Sequence, residues 1–408
     1  MDIWKEYGLT KVINARGAAT VLGAAKCSAP VRQAVADALT ISVEMVDLQA
    51  RVSRSIAAYS GAEAGCATGC TAAGIAVAAA ACMTGDNLAR IKELPRVEGL
   101  KHQFVIQKGH IIMAGETPIY QLVRMVGGHL LELGEAPDCG VYQLEDALDE
   151  NTAAALYVLG GRAAGPGMIP PKRFIETCRK YQVPVIVDDA SGMHVREMIA
   201  AGADLVTFSC QKWLRGPTAG LIAGRRDLAY ACFLQENGIG RPMKVGKEGI
   251  IGAIEAIRQW QAQEWTRRKP QQQQMVTYMA QRLQGIPGVT VNAPRSAHSH
   301  SAGGVHIQVD PAITRIPVWE ISRLLAEHNP VIKTHDYDFA HNRFSLDPIF
   351  LEEGEEVIIC DALQRIFQEA AQGDGAAAGE EPPTRLDVVA DIMRSWPQRE
   401  SDFRARGI

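Results

Sequence analysis

The sequence predicts an α/β protein with a large, mostly parallel sheet followed by a smaller α+β domain, and three observations predict it. Short runs rich in β-branched residues, "HQFVIQ", "HLLELG", "AALYVLG", "VPVIVDD", "ADLVTFS" and "AGLIAG", alternate with helical patterns such as "PPKRFIETCRKYQ" and "MHVREMIAAG". Such alternation makes βαβ units, whose crossovers cover both faces of a parallel sheet. The length, 408 residues, is enough for one large core and a satellite. Hydrophobic residues at 47% and charged residues at 22% sit at globular values, which excludes general disorder.

Taken in order, residues 1–45 hold a Gly/Ala-rich loop, "NARGAATVLGAAKCSAP", and a helical "PVRQAVADAL" with proline in its first turn. This stretch reads as an arm rather than a domain. Residues 46–246 carry the strand and helix alternation and form the large domain. A helical stretch, 247–284, interrupted by Pro270, reads as a bridge between domains. Residues 285–368 mix strands ("GVTVNA", "GGVHIQVD") with a helix ("PVWEISRLLAEHN") and form the small domain. In 369–408, a low-complexity "QGDGAAAGEEPP" reads as a flexible linker before a docking helix, "RLDVVADIMRSW".

The net charge of -4 gives no broad basic surface, so neither nucleic acid nor an anionic membrane is expected as the main partner. A small molecule is the default. Nine scattered cysteines without CxxC pairs argue against a disulfide framework and a zinc site, and suit a reducing cytoplasm. The start, "MDIWKEYGLTKVINARG", lacks the pattern of a signal peptide, and no uncharged apolar run reaches membrane-spanning length. "HSH" at 298–300 looks like a metal-ligand run, but a polar loop is the reading taken, and no metal is expected.

Three features stand where open α/β sheets place ligands. Thr68, Gly69, Cys70 and Thr71 open an alanine-rich helix whose first N–H groups can receive a phosphate; capping and close packing would explain the same residues. "VPVIVDD" ends an apolar strand on Asp188 and Asp189, a pair suited to a metal, a helix cap or a buried cation. Lys212 ends "DLVTFSCQK", twenty-four residues after Asp188, a separation that suits a βαβ crossover. A lone lysine there would be a solvated strand end. With the other two, it meets the needs of pyridoxal 5'-phosphate (PLP): a lysine for the Schiff base, a carboxylate for the pyridine nitrogen and a helix tip for the phosphate. Burial and the nearby Arg215 would depress the pKa of Lys212, as an attacking amine requires.

The segments "GCTAA", "GDNLARIKELP", "VIQKGH", "VPVIVDDA", "LVTFSCQKWLRGPTAGLIAGRRDL" and "GIGRPMKVGKE", in this order, resemble the fold-type I PLP family that includes D-glucosaminate-6-phosphate ammonia-lyase and the catalytic core of bacterial selenocysteine synthase. The resemblance covers roughly residues 8–368. It implies that Lys212 bears the cofactor and that Asp188 partners the pyridinium. It places His110 over the ring to assist proton transfer, although a helix-capping histidine would also fit. Thr68, Gly69, Cys70, Thr71 and Ser209 become phosphate-loop candidates. Arg215, Arg241 and Arg343 become anion-binding candidates for substrate, with structural ion pairing as the alternative. Where this chain has Thr68-Gly69 the family often has Ser-Gly, and where it has Arg16 many relatives carry a smaller side chain, so Arg16 joins the substrate candidates beside a plain salt-bridge role.

The implied activity is an α,β-eliminating ammonia lyase acting on an amino acid or amino sugar acid, with Lys212 or His110 removing the α-proton. The same ring chemistry serves a racemase, an aldolase-type lyase or an aminotransferase. A selenocysteine-synthase-like transferase is disfavoured, because those relatives carry an extra N-terminal tRNA-binding region not found here and this chain lacks cationic clusters. A non-catalytic PLP-binding protein would not need the full lysine, aspartate and phosphate-loop set. The family resemblance also implies a homodimer or a larger even-numbered assembly.

Overall fold

The computed structural model describes residues 2–114, 117–160, 165–294, 302–373 and 381–405. The chain divides into two compact units, Gly23–Glu264 and Met1–Leu22 with Trp265–Ile408. The first strand, β1 (Val12–Ala15), belongs to the second of these.

The larger unit holds β2 (Ala64–Thr68), β3 (Gln103–Gln107), β4 (His129–Leu133), β5 (Thr152–Val158), β6 (Val185–Asp188), β7 (Leu205–Ser209) and β8 (Gly220–Gly224). They form one seven-stranded sheet in the order β2-β8-β7-β6-β5-β3-β4. Only β8 runs against its neighbours; the remaining pairs are parallel. Side chains alternate between two cores, as the strand period requires. Ala155, Tyr157, Val187 and Val206 enter one, while Ala154, Leu156, Ile186 and Leu205 enter the other. The helix Thr71–Thr84 lies in the second core, buried along nearly its whole length. Its run of alanines buries no polar group and keeps the helix slim enough to lie close to the strands.

Strand β2 is an edge strand, and side chains of the helix Met45–Ser60 satisfy its free backbone. Gln49 donates from Nε2 to the Ala67 carbonyl at 3.0 Å and accepts the Ala67 N–H at 3.1 Å. Ser53 accepts the Gly65 N–H at 3.0 Å. This covering removes a template for aggregation and fixes the strand that ends on Thr68.

The smaller unit adds β9 (Val289–Asn292), β10 (Val305–Val309), β11 (Val331–Asp338) and β12 (Arg343–Leu346) to β1, in the order β1-β11-β12-β10-β9. The pair β1 and β11 is parallel and the others antiparallel. One face, with Ile13, Ala15, Ile307, Ile332, Phe344 and Leu346, forms a core with the helices Lys269–Leu283, Val318–Glu327 and Glu355–Gln372. The other face is polar, carrying Asn14, Lys333, His335, Ser345 and His306 in register.

Residues 2–22, read from the sequence as part of an arm, thus supply a sheet strand. The stretch 247–284 is two main helices, Lys247–Gln261 in the larger unit and Lys269–Leu283 in the smaller. Among the described residues no helix is long and apolar enough to cross a membrane.

Candidate active site

Strands β2, β5, β6 and β7 end along one edge of the large sheet, at Thr68, Val158, Asp188 and Ser209, and β8 enters there at Gly220. The register pairs Gly220 with both Thr68 and Ser209, Val158 with Asp188, and Asp188 with Thr207. This is the carboxyl edge at which parallel sheets bind ligands. One line of strand ends therefore gathers most of the polar residues singled out in the larger unit.

Lys212 stands on a closed loop beyond β7. Cys210 N–H donates to the Ala219 carbonyl at 2.9 Å, Gly216 N–H to the Cys210 carbonyl at 3.0 Å, and Arg215 N–H to the Lys212 carbonyl at 3.0 Å. Arg215 takes a left-handed φ of +56° to make this turn, a conformation that costs a non-glycine residue about 1 kcal/mol or more. The Lys212 side chain is half-buried and makes no hydrogen bond among the described residues. Burial holds its ammonium below the ordinary lysine value, against the pull of Asp188 and then Asp189.

The two carboxylates next to each other differ in every respect but burial. Asp188, 3% exposed, accepts one long bond, 3.4 Å from the Thr207 hydroxyl. Burial pushes its carboxyl up to about 7, although Lys212 and Thr207 pull it down and Asp189 adds to the rise. Asp189 accepts from Ser191 Oγ at 2.5 Å, His194 N–H at 2.7 Å and Gly192 N–H at 3.2 Å. Burial acts to raise it too, but these bonds and the His194 side chain hold it below the usual carboxylate range. The second carboxylate is spent on the turn that leads into the helix Val195–Ala201.

At the tip of the helix Thr71–Thr84, Cys70 is the N-cap, its Sγ accepting the Ala73 N–H at 3.4 Å. The N–H groups of Thr71 and Ala72 find no partner among the described residues. The Thr71 hydroxyl is hydrogen-bonded to that of Ser209, joining the helix tip to the end of β7. Thr68 Oγ1 donates to the Cys70 carbonyl at 3.0 Å, and Gly69 N–H donates to the Met243 carbonyl at 2.8 Å. A Cβ at Gly220 would fall 2.2 Å from the Cys70 carbonyl oxygen, so only glycine lets β8 pass this close.

His110 closes a 3-10 turn after β3 and is fully buried. Its Nδ1 accepts the Val158 N–H at 3.2 Å, and its ring meets Tyr157 edge-on with centroids 4.5 Å apart. Its Nε2 lies 3.4 Å from Gln107 Nε2, so both ring nitrogens face N–H groups.

Of the arginines, Arg215 is half-buried on the lysine loop, and Arg241 is exposed on the turn whose Met243 receives Gly69. Arg343 lies on β12 of the other unit with its side chain 61% exposed, 4.0 Å from Asp338 and bonded to Gln308. These contacts join it to Gln308 on β10 and to Asp338 at the end of β11. Arg16 follows β1 in the smaller unit. The "HSH" run at 298–300 lies outside the described residues. Sequence reading missed Thr207, whose place beside Asp188 depends on strand register.

A seven-stranded mixed sheet with a lysine loop, a buried strand-end aspartate and a small-residue helix tip on one edge defines the large domain of a fold-type I PLP-dependent enzyme. The family model described as "SelA: L-seryl-tRNA selenium transferase" matches residues 12–309, and the chain belongs to that PLP-dependent family. It is 32% identical over 370 residues to a D-glucosaminate-6-phosphate ammonia lyase of Salmonella typhimurium, covering 91% of this chain and 99% of that one. It is also 32% identical over 380 residues to a 5'-C-glycyluridine monooxygenase-decarboxylase of a Streptomyces species, covering 93% and 94%. The solved structure of a D-glucosaminate-6-phosphate ammonia-lyase superposes with a TM-score of 0.80 at 30% identity, over 91% of this chain and 99% of that one. The chain is thus a PLP-dependent enzyme related to that ammonia lyase.

Proposed function

We propose that the chain is an α,β-eliminating ammonia lyase acting on an amino acid or amino sugar acid: the α-proton and the β-substituent leave, and water then releases ammonia from the enamine product to give the keto compound, with Lys212 as the residue that holds PLP. One observation carries the reading: a half-buried lysine without a hydrogen-bond partner among the described residues feels the charge of a buried aspartate whose acceptor sites are largely open. Bound PLP supplies an electron-withdrawing ring that lowers the cost of breaking a bond at the α-carbon of an attached amine.

The residues fit that group. Buried polar groups call for partners, and Asp188 would find one in the cofactor's ring N–H, which its negative charge would keep protonated. The N–H groups of Thr71 and Ala72, with the Thr71 and Ser209 hydroxyls, would hold the phosphate with the help of the helix dipole. Desolvation of Lys212 raises its neutral fraction, so its amine would hold the cofactor's aldehyde carbon and, once freed by substrate, would take the α-proton and pass it to the departing β-substituent. His110 would lie over the ring and assist proton transfer. Arg215 and Arg241 would hold the substrate's anionic groups.

Elimination of ammonia is supported by the lyase relative, yet a relative named as a monooxygenase-decarboxylase is equally identical. The deciding experiment incubates the PLP-loaded enzyme with amino acids and amino sugar acids and reads ammonia, keto product, carbon dioxide and oxygen together. Ammonia and keto product in equal amounts, with no added keto acid, are expected. Carbon dioxide released with oxygen uptake, or dependence on a keto-acid acceptor, would overturn the lyase. The assembly proposed is a homodimer or larger even-numbered oligomer in the cytoplasm, a compartment supported by nine free thiols. Light scattering that found a fully active 44.2 kDa species would overturn the oligomer.

A further inference from the structure

Strand β7 lays two hydroxyls along one face of the large sheet. Ile186 and Leu205 are paired in register in the second core, and because side chains repeat every second residue, Asp188 and Thr207 follow them on the same face, with Ser209 one step further along β7. The helix Thr71–Thr84 lies over that face. A Cβ at Gly74 would fall 3.7 Å from Thr207 Cβ, an ordinary packing distance, so the helix backbone comes close to the threonine, which is fully buried.

Valine would serve the strand as well, since it fills a similar space without burying a hydroxyl. The Thr207 hydroxyl lies 3.4 Å from Asp188 Oδ1 and 3.5 Å from the Val187 carbonyl oxygen. It has one proton to donate, and a carboxylate is a stronger acceptor than a peptide carbonyl. That advantage goes once Asp188 takes a proton, so the hydroxyl favours the charged form of Asp188 over the neutral one. Burial pushes the Asp188 carboxyl up to about 7; Lys212, from the loop beyond β7, pulls it down, Asp189 beside it adds to the rise, and Thr207 pulls it down. Under the proposed function Lys212 gives its amine to the cofactor, whereas Thr207 stays in place. Thr207 reaches Oδ1 alone, and Oδ2 has no hydrogen-bond partner among the described residues.

We propose that Thr207 is a positioning residue for the cofactor: its hydroxyl holds Asp188 as a carboxylate and leaves Oδ2 for the ring N–H, so that the shared proton stays on the ring nitrogen. This role rests on the reading of Asp188 as the partner of the PLP ring. It adds a residue that acts on the cofactor only through Asp188. A protonated ring draws electrons more strongly than a neutral one, so the hydroxyl contributes to the chemistry without touching substrate.

The test loads the full chain with PLP carrying an isotope-labelled ring nitrogen, follows that nitrogen by NMR, and measures the PLP dissociation constant by absorbance. Thr207→Val removes the hydroxyl and should weaken PLP about tenfold, the scale of one hydrogen bond to a charged group. It should also move the ring-nitrogen signal toward that of the unprotonated ring. Thr207→Ser keeps the hydroxyl and removes the methyl, and should hold affinity within about threefold with the signal where wild type has it. A threonine that only packs against Gly74 would give the reverse order, with serine the more damaging change, and that result overturns the role. So does a Thr207→Val signal identical to wild type. Circular dichroism confirms that each variant is folded, and Thr207→Ala, with the same expectation as valine, replaces Thr207→Val if valine prevents folding. Asp188→Asn, run alongside, separates the two readings. If it moves the signal and Thr207→Val does not, Asp188 keeps its role and Thr207 loses this one; if neither moves it, the reading of Asp188 falls as well.

Discussion

The end of β6 and the turn that follows it carry the same residue twice, and the two copies have opposite chemistry. Asp188 and Asp189 are both buried, at 3% and 0% exposure. Asp189 meets three donors within its own turn and is held as a carboxylate. Asp188 meets one distant hydroxyl and a lysine charge, and burial pushes it up to about 7. Local hydrogen bonding decides which aspartate is structural and which is left with capacity for a ligand. Proximity in sequence is no guide to shared function.

That contrast breaks most visibly under substitution. Asp188→Asn should cut turnover by about 100- to 1,000-fold, the usual cost of removing a preorganised electrostatic partner, while the chain stays folded. In the cofactor-free chain the same change should be stabilising in alkali. A carboxyl whose folded pKa of about 7 lies above its unfolded value contributes stability that is whole below the unfolded value and lost as pH rises through about 7. A neutral amide at this position escapes that loss, so urea midpoints of variant and wild type should diverge between acid and pH 8, by up to about 4 kcal/mol. Divergence of the other sign would contradict the account of Asp188.

Asp189→Asn should act the other way, lowering stability by roughly 2 kcal/mol through the loss of charge-assisted bonds. Because Asp189 is held below its ordinary value, its stabilisation is present above the unfolded pKa and lost as pH falls through the folded one. The variant's deficit should therefore shrink in acid, and the folded fraction should load cofactor as wild type does. The smallest effect is expected far from both carboxylates. Arg343→Ala removes an exposed ion pair and should change stability by less than about 1 kcal/mol and activity hardly at all.

Much of the larger unit was legible, because βαβ alternation is local and strand-end residues follow from it. The spacing from Asp188 to Lys212 holds the helix Val195–Ala201 and strand β7, as expected of a crossover. Less was legible where pairing is distant in sequence. Strand β1 finds its partner at Val331–Thr334, and no periodicity in "KVINARG" announces that. One partner of the His110 ring is the Val158 amide, forty-eight residues away, and so was invisible to motif reading. Thr207 gains meaning only from strand register. Sequence named the residue types of the site, while the division of labour among them came from contacts.

Whether Lys212 is the amine joined to PLP is tested most directly by reducing the loaded enzyme with borohydride and analysing its peptides by mass. A pyridoxyl group should be found on Lys212, and Lys212→Ala should carry none. A pyridoxyl group on a different lysine, or visible cofactor absorbance that survives unchanged in Lys212→Ala, would contradict that assignment.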